Sequence, residues 1–145
     1  MFGLLHIPES LSIALHACLW IADGDRAYRP SPKIAKELGF SQHHLAKIVQ
    51  RLVHGGVLET ERGPHGGIRL ARPAQNITLL DIYEAGGGPP LHPHRCLLDP
   101  KICGGRACSI GRLIEQENGR LHKTMKHTTL ASLASSLDKT QLKPA

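Results

Sequence analysis

The chain has 145 residues, the size of one ordinary domain and too few for two full globular enzymes. Its hydrophobic fraction of 41% and charged fraction of 21% permit a packed core and exclude wholesale disorder. The formal charge of +6 is concentrated: residues 26–72 hold nine Lys/Arg against three acids, while the rest of the chain is neutral. That pattern is the footprint expected for a polyanionic partner, although a solvated basic face would give the same count. With one Trp, two Tyr and two Phe, a nucleic-acid surface built mainly on base stacking is disfavoured. No apolar run reaches membrane-spanning length and no signal peptide is visible, so the sequence reads as cytoplasmic with no membrane partner.

From Ser10 to Ile21, Leu11, Ile13, Ala14, Leu15, Cys18, Leu19 and Ile21 recur with helical spacing, and Ser10 after Pro8 is the expected cap. Asp23-Gly24-Asp25 ends that helix. Ser31-Pro32 then predicts an N-cap with proline at the first helical position, opening a short helix over Lys33 to Leu38 that Gly39 closes. Ser41 caps the next helix, which runs to about His54. Its Leu45, Ile48, Val49, Leu52 and Val53 form one apolar face, and Gly55-Gly56 stops it. Two short helices joined by a tight glycine-containing turn match a helix-turn-helix. A hairpin signal follows, with strands at Val57–Thr60 and Ile68–Leu70 around a tip from Arg62 to Gly67, and Pro73 bars any extension. A β-hairpin directly after the second helix of such a pair is a wing.

Thr78 to Ala85 reads as another short helix, with Thr78 as its cap. Gly86-Gly87-Gly88-Pro89-Pro90 is a break. The cysteine-bearing segment follows, then Ser109 to Lys126, whose Ile110, Leu113, Ile114, Leu121 and Met125 make one stripe. Eighteen helical residues span about 27 Å, a long element with little chain left to cover it, which predicts packing against a second copy. Residues 128–137 form a short terminal helix before a frayed tail. The expected fold is mainly α with a small β-hairpin. It comprises a winged helix-turn-helix domain (1–86), a cofactor loop (87–108), a dimerisation helix (109–127), and a short C-terminal helix with a tail (128–145).

Several of these residues together resemble the winged-helix regulators of the Rrf-type family. The stretch from Ser41 to Pro73 carries its wing pattern as Gly63, Gly66 and Gly67 followed by Leu70-Ala71-Arg72-Pro73. Ile77-Thr78-Leu79 matches the step into the next helix. Three cysteines ahead of a long helix, and Thr129 to Leu133 near its end, extend the match over roughly residues 10–137. The resemblance implies a homodimeric transcription factor, usually a repressor. In such proteins an iron–sulfur cluster reports iron, redox state or nitric oxide, although some members carry none.

Cys96, Cys103 and Cys108 offer three thiolates within thirteen residues, and in a reducing compartment such a cluster reads as metal-binding or redox-active before disulfide. A 2Fe-2S or 4Fe-4S cluster needs a thiolate or, less often, an imidazole at each protein-bound corner. The histidine that some relatives place three residues after the last cysteine is Gly111 here. Where others use an acid on the first helix of the other subunit, this chain has Ser12, a poor ligand. His16 of the partner subunit is the favoured fourth ligand, with Glu9, His92 and His94 as further candidates. The six-and-four cysteine spacing departs from the usual five-and-five, so two alternatives stay open: a structural zinc held by Cys₃His, and a thiol switch pairing Cys103 with Cys108.

For DNA, a dimer presents two recognition helices about 34 Å apart, which predicts double-stranded DNA with a palindromic operator. Gln42, His43 and His44 are placed to reach base edges, and Lys47 and Arg51 phosphates. On the wing, Gly66 and Gly67 keep the tip slim while Arg62, His65 and Arg69 approach the backbone or minor groove. A metal-dependent enzyme is the remote alternative. The sequence has no His-Glu-x-x-His, no nucleophile elbow and no phosphate-cradling loop.

Overall fold

The computed structural model describes residues 7–22, 27–89 and 108–136. They form six α-helices and one two-stranded antiparallel hairpin: α1 (Glu9–Ala22), α2 (Ser31–Leu38), α3 (Gln42–His54), β1 (Leu58–Glu61), β2 (Gly67–Leu70), α4 (Leu79–Ala85), α5 (Ser109–His127) and α6 (Leu130–Ser136), with a 3-10 turn at Ala74–Asn76. The expected mainly-α winged-helix architecture is present. Among the described residues no helix is long and apolar enough to cross a membrane.

Helix α1 is the hub. Leu11, Ile13, Ala14, Ala17, Cys18 and Ile21 are all buried on it, more than one face, because α2, α3, α4, α6 and β2 pack around it. Ala14 and Ala17 leave no solvent contact and let neighbouring backbone come close. Around α1 close Ile34, Leu45, Leu52, Val57, Leu58, Ile77, Ile82 and Leu130, none more than 1% exposed.

Two helix starts differ from expectation by a residue or two, for one reason. Helix α1 begins after Pro8, whose carbonyl accepts from Leu11 and Ser12 at 3.0 and 3.1 Å, so Ser10 is helical and not the cap. Helix α2 begins after Pro30, which accepts from Lys33 and Ile34, and Ser31 is its first residue. A proline that has φ preset and an extended ψ turns its carbonyl into the helix without needing a side-chain cap. Gly39 closes α2 in the left-handed conformation (φ 69°), as expected. Thr78 caps α4 with a complete capping box: its hydroxyl accepts from the Asp81 amide at 3.1 Å, and the Asp81 carboxylate accepts from the Thr78 amide at 2.8 Å.

The hairpin starts one residue later than its sequence pattern suggests. Val57 is drawn into the end of α3, donating to the Leu52 carbonyl at 2.9 Å, and the ladder then pairs Leu58 with Leu70, Glu59 with Arg69, Thr60 with Ile68 and Glu61 with Gly67. Ile68 also exchanges two 2.9 Å backbone hydrogen bonds with Arg29, so the link between α1 and α2 acts as a short third strand. A second bridge, Thr78 to Thr129, ties the middle of the chain to the segment between α5 and α6. Leu79 donates to the Thr128 carbonyl and Leu130 to the Ile77 carbonyl, both at 2.8 Å, which fixes α6 onto α1 and the start of α4.

Candidate nucleic-acid interface

Helix α3 turns Leu45, Ile48, Val49 and Leu52 inward, and Gln42, His43, His44 and Lys47 are exposed on its other side. No acidic residue lies on α3. Ser41 occupies the N-cap without using its hydroxyl to cap, so the first-turn amides of this helix have no side-chain acceptor. Arg51, also exposed, stands one turn beyond Lys47 and lies against the chain after α4. A cleft of about 640 Å³ opens there, lined by Lys47, Gln50, Arg51, His54, Asp81 and Glu84.

The wing tip carries exposed Arg62 and His65 on a turn closed by the Gly66 amide donating to the Gly63 carbonyl at 3.1 Å. Its glycines have a stricter role than keeping the tip slim. A methyl on Gly66 would lie 2.2 Å from the Glu61 carbonyl oxygen. Gly67 has φ +148°, and a methyl there would lie 2.3 Å from the Arg29 carbonyl oxygen. Both are sites of close backbone approach, where any side chain collides with main chain.

Arg69 is the expected contact whose surroundings differ most from a free cation. Its Nε donates to the Glu59 carboxylate directly across the ladder, and its guanidinium lies 4.3 Å from the centroid of the Tyr28 ring. The hydrogen bond to Glu59 pushes its pKa up. Tyr28 completes the group by donating to Glu59 at 3.4 Å. Glu59 and Tyr28 therefore brace the wing, a role the sequence signals only through the strand register that sets Glu59 opposite Arg69. Arg72 ties the hairpin exit to α4 through Asp81 (3.3 Å) and the Asn76 carbonyl (2.9 Å).

At the start of α5, Cys108 caps the helix, its sulfur accepting from the Gly111 amide at 3.4 Å. That location sets the sulfur at the positive end of a helix, where a metal-bound thiolate is well placed. Cys96, Cys103, His92 and His94 lie outside the described residues. His16 is half-buried on α1, with Nδ1 2.7 Å from the Ser12 carbonyl. Nδ1 must carry the proton to make that bond, which leaves the lone pair on Nε2 for a metal. The imidazole also meets the Phe40 ring edge-on, 6.4 Å between centroids, in the turn between α2 and α3. On α5 the expected stripe is divided: Met125 is buried, but Ile110 and Leu113 are 59% and 57% exposed.

A family model described as Rrf2, iron-dependent transcriptional regulator, matches residues 7–136. The chain belongs to the Rrf2 family. The HTH-type transcriptional regulator NsrR of Geobacillus kaustophilus is 36% identical over 113 residues, covering 68% of this chain and 72% of that one. Protein aau3 of Rhizobium meliloti is 48% identical over 80 residues, 55% of this chain, and the match spans about half of that relative (52%). In fold, the chain superposes on CymR, the global cysteine regulator of B. subtilis, with a TM-score of 0.79 over 93% of this chain and 100% of CymR, at 23% identity. The Rrf2 protein described here is thus a winged-helix transcriptional regulator and not an enzyme.

Proposed function

We propose that this Rrf2 protein is a homodimeric, DNA-binding repressor whose hold on a palindromic operator is set by its cysteine segment. The observation that carries the DNA part is the two-sided character of α3: one side sealed in the core, the other exposed, acid-free and flanked by the wing tip. In this reading Gln42, His43 and His44 address base edges, and Lys47 and Arg51 address phosphates. Arg62 and His65 reach from the wing to the backbone or minor groove. Gly66 and Gly67 hold the wing close to the body, and Arg69, braced by Glu59, sets its tilt.

For dimerisation, the exposed Ile110 and Leu113 at the free half of α5 supply the apolar face a second copy would cover. The donor chemistry of the two described ligand candidates fits an iron–sulfur cluster: a sulfur at a helix head and an imidazole nitrogen whose opposite nitrogen is already fixed. Cys96, Cys103 and Cys108 of one subunit, with His16 of the partner subunit, would hold it. Bound there, a cluster supplies a centre that reacts with oxidants and nitric oxide. His16 touches Phe40 in the helix-turn-helix turn, so loss of its ligand role reaches the reading head within one contact.

A second reading is a cluster-free regulator with zinc or reactive thiols at the same cysteines. The shared fold with CymR, a cysteine regulator, supports it. Anaerobic purification with a visible spectrum and assays of iron, sulfide and zinc separates the two. Iron with sulfide and a brown colour is expected, and the iron count per chain distinguishes 2Fe-2S from 4Fe-4S. One zinc and no colour makes the site structural, and neither metal moves the weight to thiol chemistry.

A further inference from the structure

The outer face of the wing carries acid in the most basic part of the chain. Of the three carboxylates in residues 26–72, Glu59 and Glu61 both lie on β1, and Glu37 stands apart on α2. Strand alternation sets Leu58 and Leu70 inward, opposite one another and buried. Glu59 and its partner across the ladder, Arg69, therefore share the outer face with Glu61. The bridge between Arg29 and Ile68 brings Tyr28 to that same face, beside Arg69.

Three neighbouring backbone segments thus contribute one side chain each to a closed group. The Arg69 guanidinium stacks 4.3 Å from the Tyr28 ring centroid, its Nε donates to the Glu59 carboxylate, and the Tyr28 hydroxyl donates to that carboxylate at 3.4 Å. Glu61 adds a second negative field at the guanidinium. The backbone beneath the group is fastened, because Ile68 and Arg29 exchange two 2.9 Å hydrogen bonds and Gly67 fits against the Arg29 carbonyl with no room for a methyl. A guanidinium already paired and stacked presents a phosphate with a neutral group, and Glu61 beside it makes that flank of the wing repel. Phosphate contacts are blind to sequence, so a cation withheld from them weakens binding to every wrong duplex.

We infer that Glu59 is a specificity-determining residue: by holding Arg69 against Tyr28 on the outer face of the wing, it withholds a sequence-blind phosphate contact. This rests on the proposal that α3 and the wing read DNA, and it adds the residue that limits binding to the wrong sequence. Without Glu59, the long Arg69 side chain reaches the nearest phosphate on any duplex. The gain is largest on a wrong sequence, where no base contact dictates how the protein lies. On the right sequence, base contacts fix the position of the wing, and loss of the brace offsets the gain.

The test measures, at several salt concentrations, the affinity of the full chain for a duplex selected from a random-sequence pool and for a scrambled duplex of the same composition. Glu59→Gln should steepen the salt slope on the scrambled duplex by about 0.9, one phosphate contact, and tighten that complex up to about eightfold at about 0.1 M salt. The ratio of selected to scrambled affinity should fall by about threefold or more. Combining Glu59→Gln with Arg69→Gln replaces a neutral pair by a neutral pair, and the slope should return to that of the parent. Glu61→Gln removes an equal charge from the same face but leaves Arg69 bound, and should move the slope by less than half as much.

A parental slope in Glu59→Gln overturns the inference, whether or not the Tm falls. A double variant whose slope drops about 0.9 below the parent's makes Arg69 a phosphate contact already, and overturns it too. A steeper slope with an unchanged affinity ratio denies Glu59 any part in specificity, and equal shifts in Glu61→Gln and Glu59→Gln reduce the effect to bulk charge. Either result overturns the inference while leaving the DNA reading in place. A parent that binds selected and scrambled duplexes alike overturns the DNA-reading proposal itself, and the inference with it.

Discussion

Gly67 and Gly119 show how differently one residue type behaves in this chain. At Gly67 an added methyl meets the Arg29 main chain at 2.3 Å with φ at +148°, whereas Gly119 on α5 has nothing within 4 Å. Gly67→Ala is expected to cost about 1–3 kcal/mol, because strained backbone and a main-chain collision cannot both relax. Gly119→Ala should instead stabilise by about 0.5–1 kcal/mol, by helix propensity alone. Urea unfolding of the two variants checks both signs, and an unaffected Gly67→Ala would mean the wing is not held against Arg29. The sequence marks Gly66-Gly67 as a wing signature but not the reason, since Arg29 lies 38 positions away in the chain and leaves no local trace.

At the scale of elements, helices α3 and α4 and the helical extent of α5 are readable from apolar spacing and caps, because their signals are local. The β1 start is misread by one residue, since Val57 looks like a strand residue but completes the end of α3. The bridge between Thr78 and Thr129 is invisible in the sequence, because backbone pairing across 51 residues imposes no periodicity. At the candidate site, the helix side chains facing out follow from the same spacing, but Tyr28 and Glu59 emerge only with the hairpin register. The division of α5 leads to a prediction. Replacing Ile110 and Leu113 by serine should leave the reading head folded, as neither is buried. The same change should convert the proposed dimer to monomer, since each side chain covered by a partner contributes about 1.5–3 kcal/mol. Sedimentation at micromolar concentration decides, and an unchanged mass would place the dimer contact elsewhere.

For the whole molecule, the +6 charge gathered in residues 26–72 is only partly available to DNA. Arg69 is bound to Glu59, Arg72 to Asp81, and Lys33 stands 3.9 Å from Glu37. Arg62 and Lys47 are exposed cations near the reading face, and among the described residues neither forms an ion pair within 4 Å. Arg62→Ala should therefore weaken binding on every duplex and lower the salt slope by about one, whereas Gln42→Ala should relax base choice by about 1–3 kcal/mol at one position. Affinities at several salt concentrations on selected and scrambled duplexes test this, and unchanged values in both variants would remove the proposed footprint.

The bridge that joins Thr78 to Thr129 has a consequence for how such a protein can diversify. Everything between Pro89 and Cys108 is inserted into a body whose two halves are already clasped, at Ile77–Leu79 on one side and Thr128–Leu130 on the other. Doubling the length of an inserted stretch of this kind costs only about 0.6 kcal/mol of closure entropy. Changes in the length of this stretch or in the spacing of its cysteines are therefore expected to cost the folding of the winged-helix body almost nothing. On the proposed reading, in which the cysteines set the signal, that signal is exchangeable in a way that the grip on the double helix is not.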